Sequence, residues 1–332
     1  MRAEPGDFSD FRAFAAAVGR NPLYAQGAGG NVSIKHDGAM WIKASGAWLS
    51  DAARQNIFAV INHEACRSQL DRAGDPVYER LDSNPALRPS IETSLHAAMP
   101  QRIVVHVHAV DVMALAVRHE AEALCREKLG SLHFAFIPYT RPGWPLTQAL
   151  CKLLRAASPK IIVLGNHGLV VAGETVTEVK TALAQVTALA RLAPREGPPA
   201  DISFLQDVCG KKWRLPKHDS VHNLGTDPVS RGFAAGGSLY PDHVVFLGRG
   251  CTATAGTLVK NIDPAKHAML IVSDKGVLLR ADLPEGGEAM AECLEAVLAR
   301  IPPGARLNYF TSRDEDELIN WDAEKYRQGT KP

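Results

Sequence analysis

The sequence predicts a mixed α/β protein of two domains, and three observations predict it. Helical apolar periods alternate with short β-branched runs between residues 8 and 192. Several of those runs are joined by turns short enough for hairpins, so part of the pairing is antiparallel. A stretch rich in Pro and Gly, residues 193–200, then interrupts the pattern, and periodic segments are sparser beyond it. At 332 residues the chain is long enough for two domains. The boundaries read from this are 1–193 for the first domain, 194–200 for a linker and 201–332 for a smaller α+β domain.

Taken in order, residues 8–18 place Phe8, Phe11, Phe14 and Val18 on one helical face. Residues 31–35 and 40–43 read as strands around the turn His36-Asp37-Gly38. Ser50 and Asp51 offer N-caps for a helix of Ala, Arg and Gln. Residues 90–99 read as a helix, 103–108 as a buried strand, 111–118 as a helix, 132–138 as a strand and 145–156 as a helix. Residues 160–165 and 169–172 form two strands that can pair as a hairpin, and 175–192 a long helix. Beyond the linker, 242–247 reads as a strand. A hairpin of 268–273 and 276–280 turns about Asp274-Lys275-Gly276, and helices follow at 288–300 and 315–327.

Composition removes several classes of function. With 37 Lys+Arg against 36 Asp+Glu the formal charge is +1, so no basic excess is available to neutralise phosphates. That argues against a nucleic-acid partner and against a polybasic membrane-surface protein. The longest apolar runs, such as 161–164 and 268–272, are far too short to span a bilayer, and residues 1–10 lack the apolar region of a secretory signal. Cys66, Cys125, Cys151, Cys209, Cys251 and Cys293 are widely spread with no C-x-x-C pair, so they read as reduced thiols rather than a disulfide framework. The expected address is cytoplasmic.

The 12 histidines are many for so balanced a chain. His106-Val107-His108 is the strongest local signal, because residues i and i+2 of a strand share a face and two imidazoles there can share a metal. The plain alternative is a pair of polar residues at a strand end. His167, in Asn166-His167-Gly168, ends another buried strand; if the two strands are neighbours it completes a three-histidine set with an open fourth position. Glu92 stands at a helix start, where it is either an acid/base beside the metal or a residue favoured by the helix dipole. His96 follows Glu92 by one helical turn. The Gly-rich stretch Gln26-Gly27-Ala28-Gly29-Gly30-Asn31 can aim backbone N–H groups at an anion, or can simply be a sharp turn into a strand. It is neither a Walker loop nor a dinucleotide fingerprint.

In this order the motifs resemble the class II aldolase/adducin family over about residues 8 to 190. The resemblance rests on Gly29-Gly30-Asn31-Val32-Ser33, Lys43-Ala44-Ser45-Gly46, Ser90-Ile91-Glu92, His106-Val107-His108 and Asn166-His167-Gly168. It implies a three-layer α/β/α sandwich around a largely antiparallel sheet, with the α+β domain appended. It also implies a homo-oligomer, the family's enzymes often being tetramers with sites at subunit interfaces. His106, His108 and His167 would bind Zn²⁺, and Glu92 would be the acid/base and a further resting ligand. Gly30, Asn31, Ser45, Gly46 and Ser90 would hold the anionic end of a small sugar or sugar phosphate. Tyr139 matches a tyrosine that serves a neighbouring subunit's site in some members. Ile91 stands where some phosphate-using members have a second Ser, which removes one donor.

The resemblance implies a zinc-dependent lyase that cleaves a ketose or ketose phosphate by reversible retro-aldol chemistry through a metal-stabilised enediolate. The same site serves family epimerases, a dehydratase and decarboxylases, and a non-catalytic adducin-like scaffold is the rival from another class. The motif Pro89-Ser90-Ile91-Glu92-Thr93 and the C-terminal extension are most similar to the aldolase part of bifunctional rhamnulose-phosphate aldolase/alcohol dehydrogenases. No G-x-G-x-x-G opens a helix in the extension, so no NAD site is expected there. Leu239-Tyr240-Pro241-Asp242-His243 also resembles that subgroup but carries no assigned role.

Overall fold

A computed structural model describes residues 3–72 and 74–322. The chain divides into two compact units. Among the described residues, the first comprises those up to 116 together with Ala121–Arg191, and the second comprises Val117–Glu120 and those from 192 onward. Residues 191–201 contain no helix or strand. Arg195, within the segment read as a linker, is nonetheless tied into the second unit by hydrogen bonds to Asp227, Ser230 and the Leu298 carbonyl.

The first unit is built on seven strands: β1 (Asn31–His36), β2 (Ala39–Lys43), β3 (Phe58–Asn62), β4 (Ile103–Val107), β5 (Phe134–Ile137), β6 (Ile161–Leu164) and β7 (Gly168–Gly173). Their order across the sheet is β3-β2-β1-β4-β7-β6-β5. Every neighbouring pair is antiparallel except β5 and β6. β1 and β4 are almost wholly buried because helices cover both faces, which is why their sequences read as near-continuous apolar runs.

One face carries Val104, Ile162, Leu164, Val170 and Ala172, packed with Leu95 of the helix Thr93–Ala98 and with Leu146 and Leu150 of the helix Trp144–Ala156. Each of the Val, Leu and Ile side chains contributes about 1.5–3 kcal/mol by leaving water. The other face is covered by helices that include Val176–Ala190, begun by a Thr175 side-chain cap. The helix Phe8–Gly19 buries Phe8, Phe11, Phe14 and Val18 at helical spacing, and Phe8 meets the rings of Trp41 and Phe58 at 5.9 and 5.6 Å. This arrangement is the layered, largely antiparallel α/β sandwich that the resemblance implies.

The second unit holds a four-stranded sheet of β8 (Trp213–Arg214), β9 (Thr252–Thr254), β10 (Met269–Val272) and β11 (Gly276–Arg280), in the order β8-β11-β10-β9. The β10–β11 hairpin turns through Asp274, whose φ is +60°. The helix Glu285–Ala299 buries ten of its residues in this unit.

Three readings are corrected. The helix expected after Ser50-Asp51 is a 3-10 turn, Leu49–Asp51, followed by turns; Arg12 binds the carbonyls of Ala52 and Gln55, which a continuing helix would have to satisfy internally. Residues 242–247 are not a strand but lie in the helix Pro241–Leu247. Proline at its first position favours helix entry, and because nearly every residue is buried the run shows no polar face to reveal its period. The last helix runs Ser312–Ile319, starting earlier than read; residues 323–327 of that reading lie outside the described residues. Strand β3 and the helices Ala121–Leu129, Ile202–Cys209 and Pro228–Ala235 were not anticipated. No helix among the described residues is long and apolar enough to cross a membrane.

Candidate metal centre

Strand pairing assembles the histidines. In β4 the alternation of faces puts His106 on the side of Val104, under the helix Thr93–Ala98. The register sets Asn31 of β1 opposite His106 on one side and Val170 of β7 opposite it on the other. His108 follows β4 directly. His167 sits in the three-residue turn between β6 and β7, which pairs Leu164 with Gly168. Asn166 makes that turn possible by adopting φ +49°, a conformation asparagine tolerates better than most residues. Gly168 is required by space: a Cβ there would lie 2.5 Å from the Val107 carbonyl oxygen and 3.3 Å from both the His106 and His108 rings.

The three imidazoles are buried, and one nitrogen from each lies within 4.8 Å of the other two. Their ring centres are 4.7, 5.1 and 5.5 Å apart. His106 Nδ1 is 3.2 Å from the Leu169 carbonyl, so it carries the proton and donates. Its Nε2 lone pair is thereby turned into the cluster, the arrangement a metal-binding histidine needs. Glu92 closes the fourth side. It is the N-cap residue of the helix Thr93–Ala98, but its side chain caps nothing there; Oε2 lies 3.5 Å from His106 Nε2 and Oε1 lies 3.7 Å from His167 Nε2. The dipole-favoured reading of Glu92 therefore gives way to a side chain turned into the cluster.

Burial pushes the Glu92 carboxyl up, and the N–H that Asn31 donates to it pulls it down. Asn31 donates from Nδ2 to Glu92 Oε2 at 2.8 Å. The other end of that amide meets His96 Nε2, and His96 Nδ1 meets Ser33 Oγ at 2.8 Å. Lys35 reaches from β1 to the carbonyls of Met99 and Gln101, anchoring the chain just past the helix that starts at Glu92.

The residues expected to hold substrate fall in two places. Gly30, with φ +66°, and Asn31 lie beside His106, and Gln26 ties the Gly-rich turn to the His108 carbonyl at 3.3 Å. Ser45 and Gly46 meet the segment before Glu92: Ala44 pairs with Pro89, the Ser45 N–H donates to the Arg88 carbonyl, and the Ser90 hydroxyl accepts from the Glu92 N–H at 3.3 Å. Asn31 differs from the expectation in one respect. Its side chain is 5% exposed and both its ends are engaged, with Glu92 and His96, so it supports the carboxylate. Tyr139 is half-buried just after β5, with its backbone nitrogen 3.0 Å from where a Gly165 side chain would begin. It therefore stands beside the turn that carries His167. Ser33, which ends the Gly29–Ser33 stretch expected to hold the anionic end, instead faces His96, and the one-turn spacing of His96 from Glu92 is the sequence signal for that contact.

The donor set fits a divalent ion. Three neutral nitrogens and one carboxylate, buried together and converging on one point, are what zinc and similar ions take. The family model for the class II aldolase and adducin N-terminal domain matches residues 15–193. The uncharacterized oxidoreductase YuxG of Bacillus subtilis (strain 168) is 27% identical over 175 residues, which cover 48% of this chain and 25% of that protein. The chain thus spans about a quarter of the length of this curated relative. Among solved structures, the N-terminal class II aldolase domain of a conserved protein from Thermoplasma acidophilum is 22% identical with a TM-score of 0.47, covering 57% of this chain and 94% of that one. The sugar-phosphate aldolase from Thermotoga maritima is 14% identical with a TM-score of 0.45, covering 55% and 91%. With more than half of its length matched by the family model, the chain belongs to the class II aldolase and adducin family.

Proposed function

We infer that this protein is a zinc-dependent aldehyde-lyase that cleaves a ketose or ketose phosphate by reversible retro-aldol chemistry. The observation that supports it is the buried convergence of His106, His108 and His167 on the Glu92 carboxylate. The three histidines would hold the ion, with Glu92 as a further resting ligand. When bound, the ion supplies Lewis-acid stabilisation of the negative charge that develops on the substrate's oxygens.

The remaining work falls to this chain's own residues. Glu92 moves a proton to or from the substrate carbon next to the carbonyl. The turns at Gly30, at Ser45-Gly46 and at Ser90 orient the anionic end, so the reacting carbons are held in place. Tyr139 of a neighbouring subunit serves the hydroxyl that becomes the aldehyde. This role makes the working form a homo-oligomer, with the family's tetramer as the expected state.

The test is a cleavage screen over phosphorylated and free ketoses, reading the released ketone fragment, with Glu92→Gln as the blank. Two carbon fragments formed by the wild type and not by the variant support the reading. An epimer, a dehydrated ketone or CO₂ as the product would replace it with the corresponding activity of the same site. A purified protein without metal and without turnover would favour a scaffold.

A further inference from the structure

Behind Glu92 lies a line of polar groups that the retro-aldol scheme does not use. Ser33, His96, Asn31 and Glu92 follow one another in unbroken contact, and none is more than 5% exposed. In such a place a polar group must find its partner among its neighbours, so donors and acceptors can be assigned in sequence.

The Glu92 carboxylate only accepts, so the Asn31 group facing Oε2 is its NH₂. The other end of Asn31 is then a carbonyl oxygen, and His96 Nε2 facing it carries a proton. The His96 ring is wholly buried and its two nitrogens face Asn31 and Ser33 rather than a carboxylate, so the ring is neutral and its Nδ1 has a lone pair. Ser33 must donate to that lone pair. The opposite amide orientation would set two oxygens against each other at Glu92. Only one direction is consistent, with the hydroxyl of Ser33 at one end and Glu92 Oε2 at the other.

We propose that Ser33, His96 and Asn31 form a directional hydrogen-bond chain that commits Glu92 Oε2 and leaves Oε1 as the oxygen that exchanges the proton. Oε1 accepts no hydrogen bond among the described residues. This rests on the aldolase reading for its chemistry. In the aldol direction the C–H bond next to the donor's carbonyl breaks, its electron pair stays on the donor, and an O–H bond forms at Oε1; cleavage runs the same transfer backwards. His96 is a positioning residue, because it acts through Asn31 and touches neither substrate nor ion.

Two measurements test the chain. The first needs no substrate. In zinc-loaded protein with ¹⁵N-labelled histidine, the His96 resonances are identified by their loss in His96→Gln. They should report a neutral ring protonated at Nε2 and bare at Nδ1. A proton on Nδ1, or on both nitrogens, overturns the chain.

The second reads turnover on whichever ketose the cleavage screen identifies. His96→Leu should lower kcat about 10- to 100-fold, as losses of outer partners of a site commonly do. KM and zinc content should stay as in the wild type, and His96→Gln, which keeps an N–H donor, should recover most of the rate. A leucine variant with wild-type kcat, or a glutamine variant no better than leucine, overturns the proposal. If the leucine variant does not fold, Ser33→Ala takes its place, with a several-fold fall in kcat at unchanged KM expected and an unchanged kcat overturning it. A wild type that cleaves no ketose defeats the aldolase reading while the ring's protonation still decides the chain.

Discussion

Each unit of this protein buries a polar cluster, and the two use similar side chains to different ends. In the first unit, three imidazoles and a carboxylate converge, with the imidazole ligand atoms within 4.8 Å of one another. In the second, the helix Pro241–Leu247 presents His243 to Cys251, with Nε2 3.7 Å from Sγ, while the Tyr240 hydroxyl donates to Cys293 Sγ at 3.6 Å. Tyr240 and His243 also meet ring to ring, 5.6 Å between centroids, but the groups form a row of contacts. Burial lowers His243 to about 3 and pushes both thiols up to about 12, so every member is neutral. Among the described residues, His106, His108 and His167 form the one group of three able to share an ion. Residue type and burial are common to both clusters; convergence is not. Convergence arises because the end of β4 and the residue just after it supply His106 and His108, and the turn between two neighbouring strands supplies His167.

The sharpest way to break this contrast is to remove one histidine from each cluster. His106→Ala should abolish zinc uptake and reduce cleavage to background, whereas His243→Ala should leave zinc at one per chain, as metal analysis of the purified variants will read. Comparable zinc loss in both would make the two clusters equivalent. Glu92→Gln comes next: zinc is retained, and turnover falls about 10²- to 10⁴-fold, the usual worth of a general acid/base.

A smaller effect separates the units by space alone. Gly168→Ala drives a Cβ against the Val107 carbonyl and should cost about 1–3 kcal/mol and weaken zinc, because the rings of His106 and His108 must move. Gly225→Ala forces a Cβ to 2.1 Å from the Gly276 carbonyl oxygen in the second unit and should cost stability of the same order with zinc affinity unchanged. Urea unfolding and chelator competition on both variants check this.

A last effect is on pH. His243 has its ordinary pKa of 6.5 when unfolded and about 3 when folded. As pH falls below 6.5 the unfolded chain takes a proton that the folded one refuses, so stability declines as pH falls from 6.5 toward 3. His243→Phe should flatten that part of the acid limb, read as unfolding free energy against pH.

The sequence made the centre legible because its signals are local. A β-branched strand with histidines two apart declares a shared face, and Asn166-His167-Gly168 declares a turn between buried strands. What it hid depends on distant contacts. The stretch after Asp51 forms no helix once Arg12, forty residues away, takes the Ala52 carbonyl. The run Val244-Val245-Phe246-Leu247 is too short and too fully buried to show whether its period is two or 3.6. Asn31 matches a substrate-holding motif by sequence, yet its amide turns to Glu92 and His96, partners 61 and 65 residues away.

The register of β4 between β1 and β7 carries a last consequence. Asn31, His106 and Val170 stand in one row across three strands. A slip of one residue would carry His106 through to the opposite face and away from Glu92. An ion that needs His106, His108 and His167 together can bind only the correctly paired sheet, so its affinity adds to the stability of that pairing and to no other.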